Sequence, residues 1–199
     1  MAASALREMC DLLLRVLAAQ QPHLRGHSAE VADLAEDAAL LLGLAADEVE
    51  AVRCAAELHD VGKLAIPEAI LTKPSRLSES EWALMRRHTV IGEQILAGSP
   101  ALREVARLVR SSHERWDGRG YPDRLAGEAI PLGARIICAC DAFDAMTSAR
   151  PYNEPLPRRQ AIAELERCAG SQFDPTVVAV LVELLGAQAQ PRRRVALVA

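Results

Sequence analysis

Apolar positions along the chain recur at helical rather than alternating spacing. Leu6, Met9, Leu13 and Leu17 predict an amphipathic helix over 3–20, interrupted by Pro22. Val31, Leu34, Ala35, Ala38 and Leu42 predict a second helix over 24–42, stopped at Gly43. Asp47 is placed as the cap of a third, over 48–60. Residues 64–77 hold Pro67 and Pro74 and read as short turns. Ser78 with Glu81 forms a capping box for a helix over 79–97, and Pro100 opens another through 112. Asp117-Gly118-Arg119-Gly120-Tyr121-Pro122 is a loop by composition, and irregular chain continues to Pro131. A strongly apolar helix follows over 133–148, then two more over 157–169 and 174–186. The pattern predicts an all-α protein.

Composition narrows this picture. A chain of 199 residues, half hydrophobic and 3% aromatic, is long enough to bury a core of packed helices rich in Ala and Leu. The expected organisation is an N-terminal amphipathic helix over 1–20, one domain over 21–186 and a solvated tail over 187–199. The first helix either docks on the core or forms a homodimer seam, since fewer than three heptads cannot establish a coiled coil. A net charge of −4 argues against a nucleic-acid polymer as partner, so an anionic ligand must be drawn by a local positive site. Five scattered cysteines fit free thiols in a reducing cytoplasm. Arg7, Glu8, Asp11 and Arg15 break the N-terminal apolar run, which is therefore neither a signal peptide nor a membrane span.

Candidate chemistry centres on Leu58-His59-Asp60-Val61-Gly62-Lys63. Neighbouring helical residues diverge by about 100°, so His59 and Asp60 can embrace a metal ion but cannot complete its shell. Lys63 follows at helical spacing, where it can meet an anion polarised by that metal. The other histidines, His23, His27, His88 and His113, all precede residue 114 and each sits in a distinctive local motif. If helical geometry reaches back to 23, His23 and His27 share one face. Asp141 and Asp144 lie among Ile136, Ile137, Phe143 and Met146, where a carboxylate needs a metal or a hydrogen-bond network.

These segments resemble the HD-GYP family, a branch of the HD superfamily of metal-dependent phosphohydrolases. The resemblance covers about 21–178, and its most specific piece is His113-Glu114-Arg115-Trp116-Asp117-Gly118-Arg119-Gly120-Tyr121-Pro122. Other matching pieces, in family order, include His27-Ser28, the His59–Lys63 run, His88 with Gly92, Asp141–Ser148, Arg150-Pro151-Tyr152 and Phe173-Asp174-Pro175. The resemblance implies a single-domain, HD-type helical bundle with a metal site in its centre. It also implies hydrolysis of the 3′–5′ linkages of cyclic di-GMP at two divalent ions, iron or manganese. His27, His59, Asp60 and Asp141 match ligands of a first ion; Asp60 would bridge to a second, which His88 and His113 match. Lys63, Tyr121 and Arg150 match positions tied to substrate contacts, and Asp60 and Lys63 are the candidate catalytic residues, Lys63 to stabilise transition-state charge.

The chain departs from that pattern where Ser112 replaces the first of two adjacent histidines, where His23 replaces a glutamate, and at Gln21 and Asn153. A hydroxyl binds divalent metals weakly, so Ser112 predicts a weakened second site, and His23 is the candidate additional ligand. Three readings stay open: a cyclic di-GMP phosphodiesterase using a metal-activated hydroxide, a non-hydrolytic domain that binds cyclic di-GMP or a partner protein, and a hydrolase of another nucleotide. Regulatory input either comes from a partner protein or there is none.

Overall fold

The computed structural model describes residues 2–20, 25–148 and 154–188, and side chains over 5–16, 28–148 and 154–187. The helices are α1 (Ala2–Gln20), α2 (Arg25–Leu41), α3 (Ala46–Leu58), α4 (Glu68–Leu71), α5 (Glu79–Met85), α6 (His88–Leu96), α7 (Arg103–Ser111), α8 (Leu132–Thr147), α9 (Arg158–Cys168) and α10 (Pro175–Gln188). Short 3₁₀ turns occupy Val61–Ala65, Pro100–Leu102 and Gly127–Ala129. No strand forms among the described residues, so the bundle is all-α.

α3 is the axis of the bundle and packs against α1, α2, α7 and α8. It is suited to this because Ala51, Val52, Cys54, Ala55, Ala56 and Leu58 are all buried, and their mostly small side chains let several helices approach at once. The charges that α3 does carry are matched from its neighbours. Arg53 donates to Asp33 and Glu36 of α2, and Arg7 of α1 pairs with Glu57 at 2.9 Å. The C-terminal end of α3 is therefore delivered to the middle of the molecule, and it is there that His59 and Asp60 sit.

Three local expectations are corrected. Asp47 does not cap α3. Ala45 is the N-cap, and its N–H donates to the Glu48 carboxylate at 2.9 Å. α3 ends at Leu58 rather than running through Asp60, and the chain tightens into the turn Val61–Ala65. The helix predicted over 79–97 is two helices, because the His88 imidazole takes the Met85 carbonyl at 2.7 Å and the Arg87 N–H falls back to Leu84 O at 3.0 Å. Other ends shift by a residue or two, as helix ends do, except that Pro100 opens a 3₁₀ turn before α7 and 64–77 contains α4.

Candidate metal centre

The site is assembled from helix ends. His59 follows the last residue of α3 in αR conformation, and its Nδ1 donates to the Ala56 carbonyl at 2.7 Å. A carbonyl can only accept, so Nδ1 carries the proton and Nε2 of the neutral ring is left as a lone pair. His88 is fixed the same way by the Met85 carbonyl, 2.7 Å from its Nδ1. This orientation of an imidazole by a backbone carbonyl is typical of metal-ligating histidines.

Asp60 begins the 3₁₀ turn, whose tight winding brings Lys63 Nζ to 2.5 Å from Asp60 Oδ2. Gly62 is what lets α6 approach. A Cβ there would lie 1.9 Å from the His88 carbonyl oxygen and 2.7 Å from the Gly92 nitrogen. Backbone contact at Gly62 thus seats His88 against Asp60.

Around Asp60 the ligand atoms divide between its two oxygens. Oδ2 lies 3.6 Å from His59 Nε2, which in turn lies 3.8 Å from Asp141 Oδ1. Oδ1 lies 3.7 Å from His88 Nε2, and Asp60, His88 and His113 present ligand atoms all within 4.8 Å of one another. Asp60 Oδ1, His88 Nε2 and His113 Nε2 are buried and have no hydrogen-bond partner among the described residues. Three orphaned polar atoms pointing at one another would be costly without an ion between them, so the donor set fits a divalent metal. Separations of 3.6–3.8 Å leave room for a cation between each pair, since ligand bonds to such ions run near 2.0–2.2 Å.

The charge states agree with this. Burial opposes ionisation of Asp60, but neighbouring positive charge, with the Lys63 ammonium donating at 2.5 Å, outweighs it and holds the carboxyl well below its ordinary range. Burial pushes His113 down to about 4, and burial also lowers His88. Near neutral pH Asp60 is therefore ionised and His88 and His113 are neutral, the forms that bind metal.

Asp141 projects from α8 and is partly exposed, whereas Asp144 is buried and accepts from the Ser148 hydroxyl at 3.0 Å. Ser112 is buried, and its hydroxyl donates to the Val109 carbonyl at 2.9 Å. The His27 side chain, and His23, Arg150, Gln21 and Asn153 altogether, lie outside the described residues.

Loop 113–124 forms a fixed lip. The Trp116 and Asp117 N–H groups donate to Gln172 and Ser171 carbonyls, and Arg115 grips Asp117 through two bonds and Gln172 Oε1 at 2.8 Å. Gly120 runs so close to Glu114 that a Cβ would lie 2.5 Å from its Cα. The Tyr121 ring stacks on His113 at 5.1 Å with an interplanar angle of 15°, and Arg86 Cζ lies 5.7 Å from the Tyr121 centroid. Burial, with the charges of Asp60 and Asp141, pushes the Tyr121 phenol up, so it stays a hydrogen-bond donor.

Sequence reasoning gave no role to Glu114 or Arg86. Buried Glu114 accepts the Asp123 N–H at 2.6 Å and clamps the lip behind His113. Its place directly after a ligand candidate was the available signal. Arg86 had none, since only the break between α5 and α6 turns it toward Tyr121.

A helical bundle with one aspartate set between imidazoles from separate helix ends has the form of a candidate histidine–aspartate metal centre. The chain matches the HD domain family over residues 11–177 and belongs to that family. It is 48% identical over 143 residues to the cyclic di-GMP phosphodiesterase response regulator RpfG of Xanthomonas campestris pv. campestris, covering 71% of this chain and 38% of that one. It is 40% identical over 179 residues to 3′3′-cGAMP-specific phosphodiesterase 2 of Vibrio cholerae, covering 89% and 34%. The chain thus spans well under half the length of these relatives. Its fold is similar to an HDG"Y"P protein from Bdellovibrio bacteriovorus, at a TM-score of 0.67 and 20% identity over 82% of this chain and 52% of that one. No helix among the described residues is long and apolar enough to cross a membrane.

Proposed function

We propose that this chain is a metal-dependent phosphodiesterase module, residues 21–186, that hydrolyses the 3′–5′ linkages of a cyclic dinucleotide, with cyclic di-GMP the first candidate. The observation that carries the reading is Asp60, whose two oxygens face His59 and His88 at 3.6 and 3.7 Å. His59, Asp60 and Asp141, with His27, would hold one ion, and Asp60, His88 and His113 a second. Mixed nitrogen and carboxylate donors suit iron or manganese. When bound, such a pair supplies Lewis acidity at the phosphoryl group and nucleophilic water near neutral pH.

The chain's own residues do the rest. The Ala56 and Met85 carbonyls hold the His59 and His88 rings so that both Nε2 lone pairs face Asp60. Lys63 places an ammonium at the rim of the site, 2.5 Å from Asp60, where it offsets charge developing on a phosphoryl oxygen. Tyr121 donates its hydroxyl to the substrate, and Arg150 grips phosphate bidentately. The names of the relatives support both cyclic di-GMP and 3′3′-cGAMP as substrates. Regulatory input comes from a partner protein, and Leu12 and Val16, exposed on α1, support a homodimer seam. Five free cysteines support a cytoplasmic setting.

The test is metal analysis of protein purified without oxygen, paired with chromatography of the products of both dinucleotides. Metal-dependent release of linear dinucleotide is the expected result. A second reading, a non-hydrolytic dinucleotide-binding domain, is favoured by the Ser112 hydroxyl being engaged with Val109. Absence of hydrolysis at saturating manganese or iron selects it.

A further inference from the structure

Beside the metal ligands opens a cleft of about 860 Å³ whose lining runs from His113 and Tyr121 past Trp82, Arg86, Arg119 and Arg124. Its size is that of a small-molecule site rather than of a surface crease. Three features set its arginines apart from an ordinary solvated face.

The first is charge left without compensation. Elsewhere in the fold Arg53, Arg107, Arg110 and Arg135 hold carboxylates. The guanidiniums of Arg86, Arg119 and Arg124 form no ion pair among the described residues, although Asp117 accepts the Arg119 backbone N–H at 3.1 Å and its charge is felt there. The lip does carry acids, but each is tied away from the cleft: Asp117 to Arg115, Asp123 to Arg110 by bonds of 2.7 and 2.8 Å, and Glu114 to the Asp123 N–H.

The second is backbone strain at one of these arginines. Arg124 sits at φ 57°, the only left-handed non-glycine among the described residues. That conformation costs a side chain of this kind roughly 1–2 kcal/mol against glycine. An arginine held there against its backbone preference, at the mouth of an anion-friendly cleft, points to a use for the guanidinium.

The third is Trp82, 44% exposed, with Arg86 Cζ 6.0 Å from its ring. An exposed indole beside a guanidinium offers a flat platform on which a nucleobase can stack.

We propose that Arg86, Arg119 and Arg124, with the Trp82 indole, form a second subsite that holds the phosphate and base of the dinucleotide lying away from the metal ligands. The identity of the ligand rests on the phosphodiesterase reading; the anion-and-base chemistry rests on the cleft. A molecule with one phosphodiester at Asp60 has its other phosphate a nucleotide's length away, and a site for it makes the protein selective for dinucleotides over single-phosphate esters. The Tyr121–His113 stack forms the boundary between the two subsites.

The test is calorimetric titration of cyclic di-GMP into the full chain stripped of metal, with Arg119→Gln, Arg124→Gly and Trp82→Ala beside the parent. Loss of one charge-assisted phosphate contact should weaken binding about tenfold in each arginine variant. Arg124→Gly relieves the backbone and should melt no lower than the parent, so weaker binding in it cannot come from unfolding. Arg107→Gln, which removes a guanidinium engaged with Glu104 on α7, should bind like the parent. Unchanged affinity in Arg119→Gln and Arg124→Gly overturns the subsite, as does absence of dinucleotide binding by the parent. The phosphodiesterase reading is judged separately, by hydrolysis once manganese is restored. A parent that binds without hydrolysing sinks that reading, while the variants still decide the subsite.

Discussion

The two oxygens of Asp60 look into different surroundings. The Oδ2 side combines His59, Asp141 and the Lys63 ammonium, so a second carboxylate and a cation share it. The Oδ1 side faces His88 and His113, nitrogen donors that burial keeps neutral, while Ser112 turns its hydroxyl to Val109. A divalent ion on the Oδ2 side gains attraction from two carboxylates. On the Oδ1 side it relies on one carboxylate and two lone pairs. The two ions proposed above would therefore be held with unequal grip, the weaker on the Oδ1 side, where Ser112 precedes His113 in the chain.

Asp60→Asn should break the comparison altogether, because it removes the group common to both sides. Metal content by mass spectrometry should fall to background and hydrolysis with it. Retention of an ion on either side would show that the sides do not share this carboxylate.

Lys63→Met should cost about 10²–10³-fold in kcat, the scale of one preorganised charge at the reacting group, with metal content unchanged. A loss of metal instead would make Lys63 a prop for Asp60 rather than a contact to substrate.

Gly62→Ala tests how the Oδ1 side is assembled. A methyl 1.9 Å from the His88 carbonyl must push α6 away from Asp60. Destabilisation of about 1–3 kcal/mol is expected from overpacking, measured by urea unfolding, with metal lost first from the Oδ1 side. Wild-type stability would mean that the turn yields more easily than its backbone contacts indicate.

Ser112→His sharpens the asymmetry by supplying a nitrogen donor beside His113. It should raise the metal retained after chelator treatment, and raise activity where occupancy limits it. His23→Ala tests whether a residue from before α2 already compensates. Two firmly held ions in both the parent and His23→Ala would remove the case for unequal sites.

A last effect is expected on metal-free protein in mild acid. His113 takes up a proton in the unfolded chain near its ordinary value of about 6.5, but in the fold only at about 4. Between those values the unfolded state binds more protons, so stability falls as pH drops through that window. Melting of the stripped protein should decline by several degrees from pH 6.5 to 4, and bound metal should flatten the decline. A pH-independent melt would contradict the buried, neutral state of His113.

The helices were legible in the sequence because a spacing of three and four apolar residues has one geometric meaning, and α2, α8 and α10 show it in their buried valines, alanines and leucines. The importance of His59, Asp60 and Lys63 was legible because those residue types cluster within five positions. Where helices break was not legible. The end of α3 before Asp60 and the gap between α5 and α6 depend on imidazoles competing for the Ala56 and Met85 carbonyls, and periodicity carries no trace of that.

Sequence by itself determined the helical class and the inventory of donors, since both follow from local pattern and residue chemistry. Only the tertiary structure decided that Asp60 divides its oxygens between His59 beside it and His88 on another helix, and that His59 meets Asp141 of α8. It alone turned Ser112 away and gathered Arg86, Arg119 and Arg124 around one cleft, their guanidiniums in no ion pair among the described residues. Proximity between segments distant along the chain is set by how helices pack, and packing at Gly62 and Gly92 is a contact of backbones that no local pattern encodes.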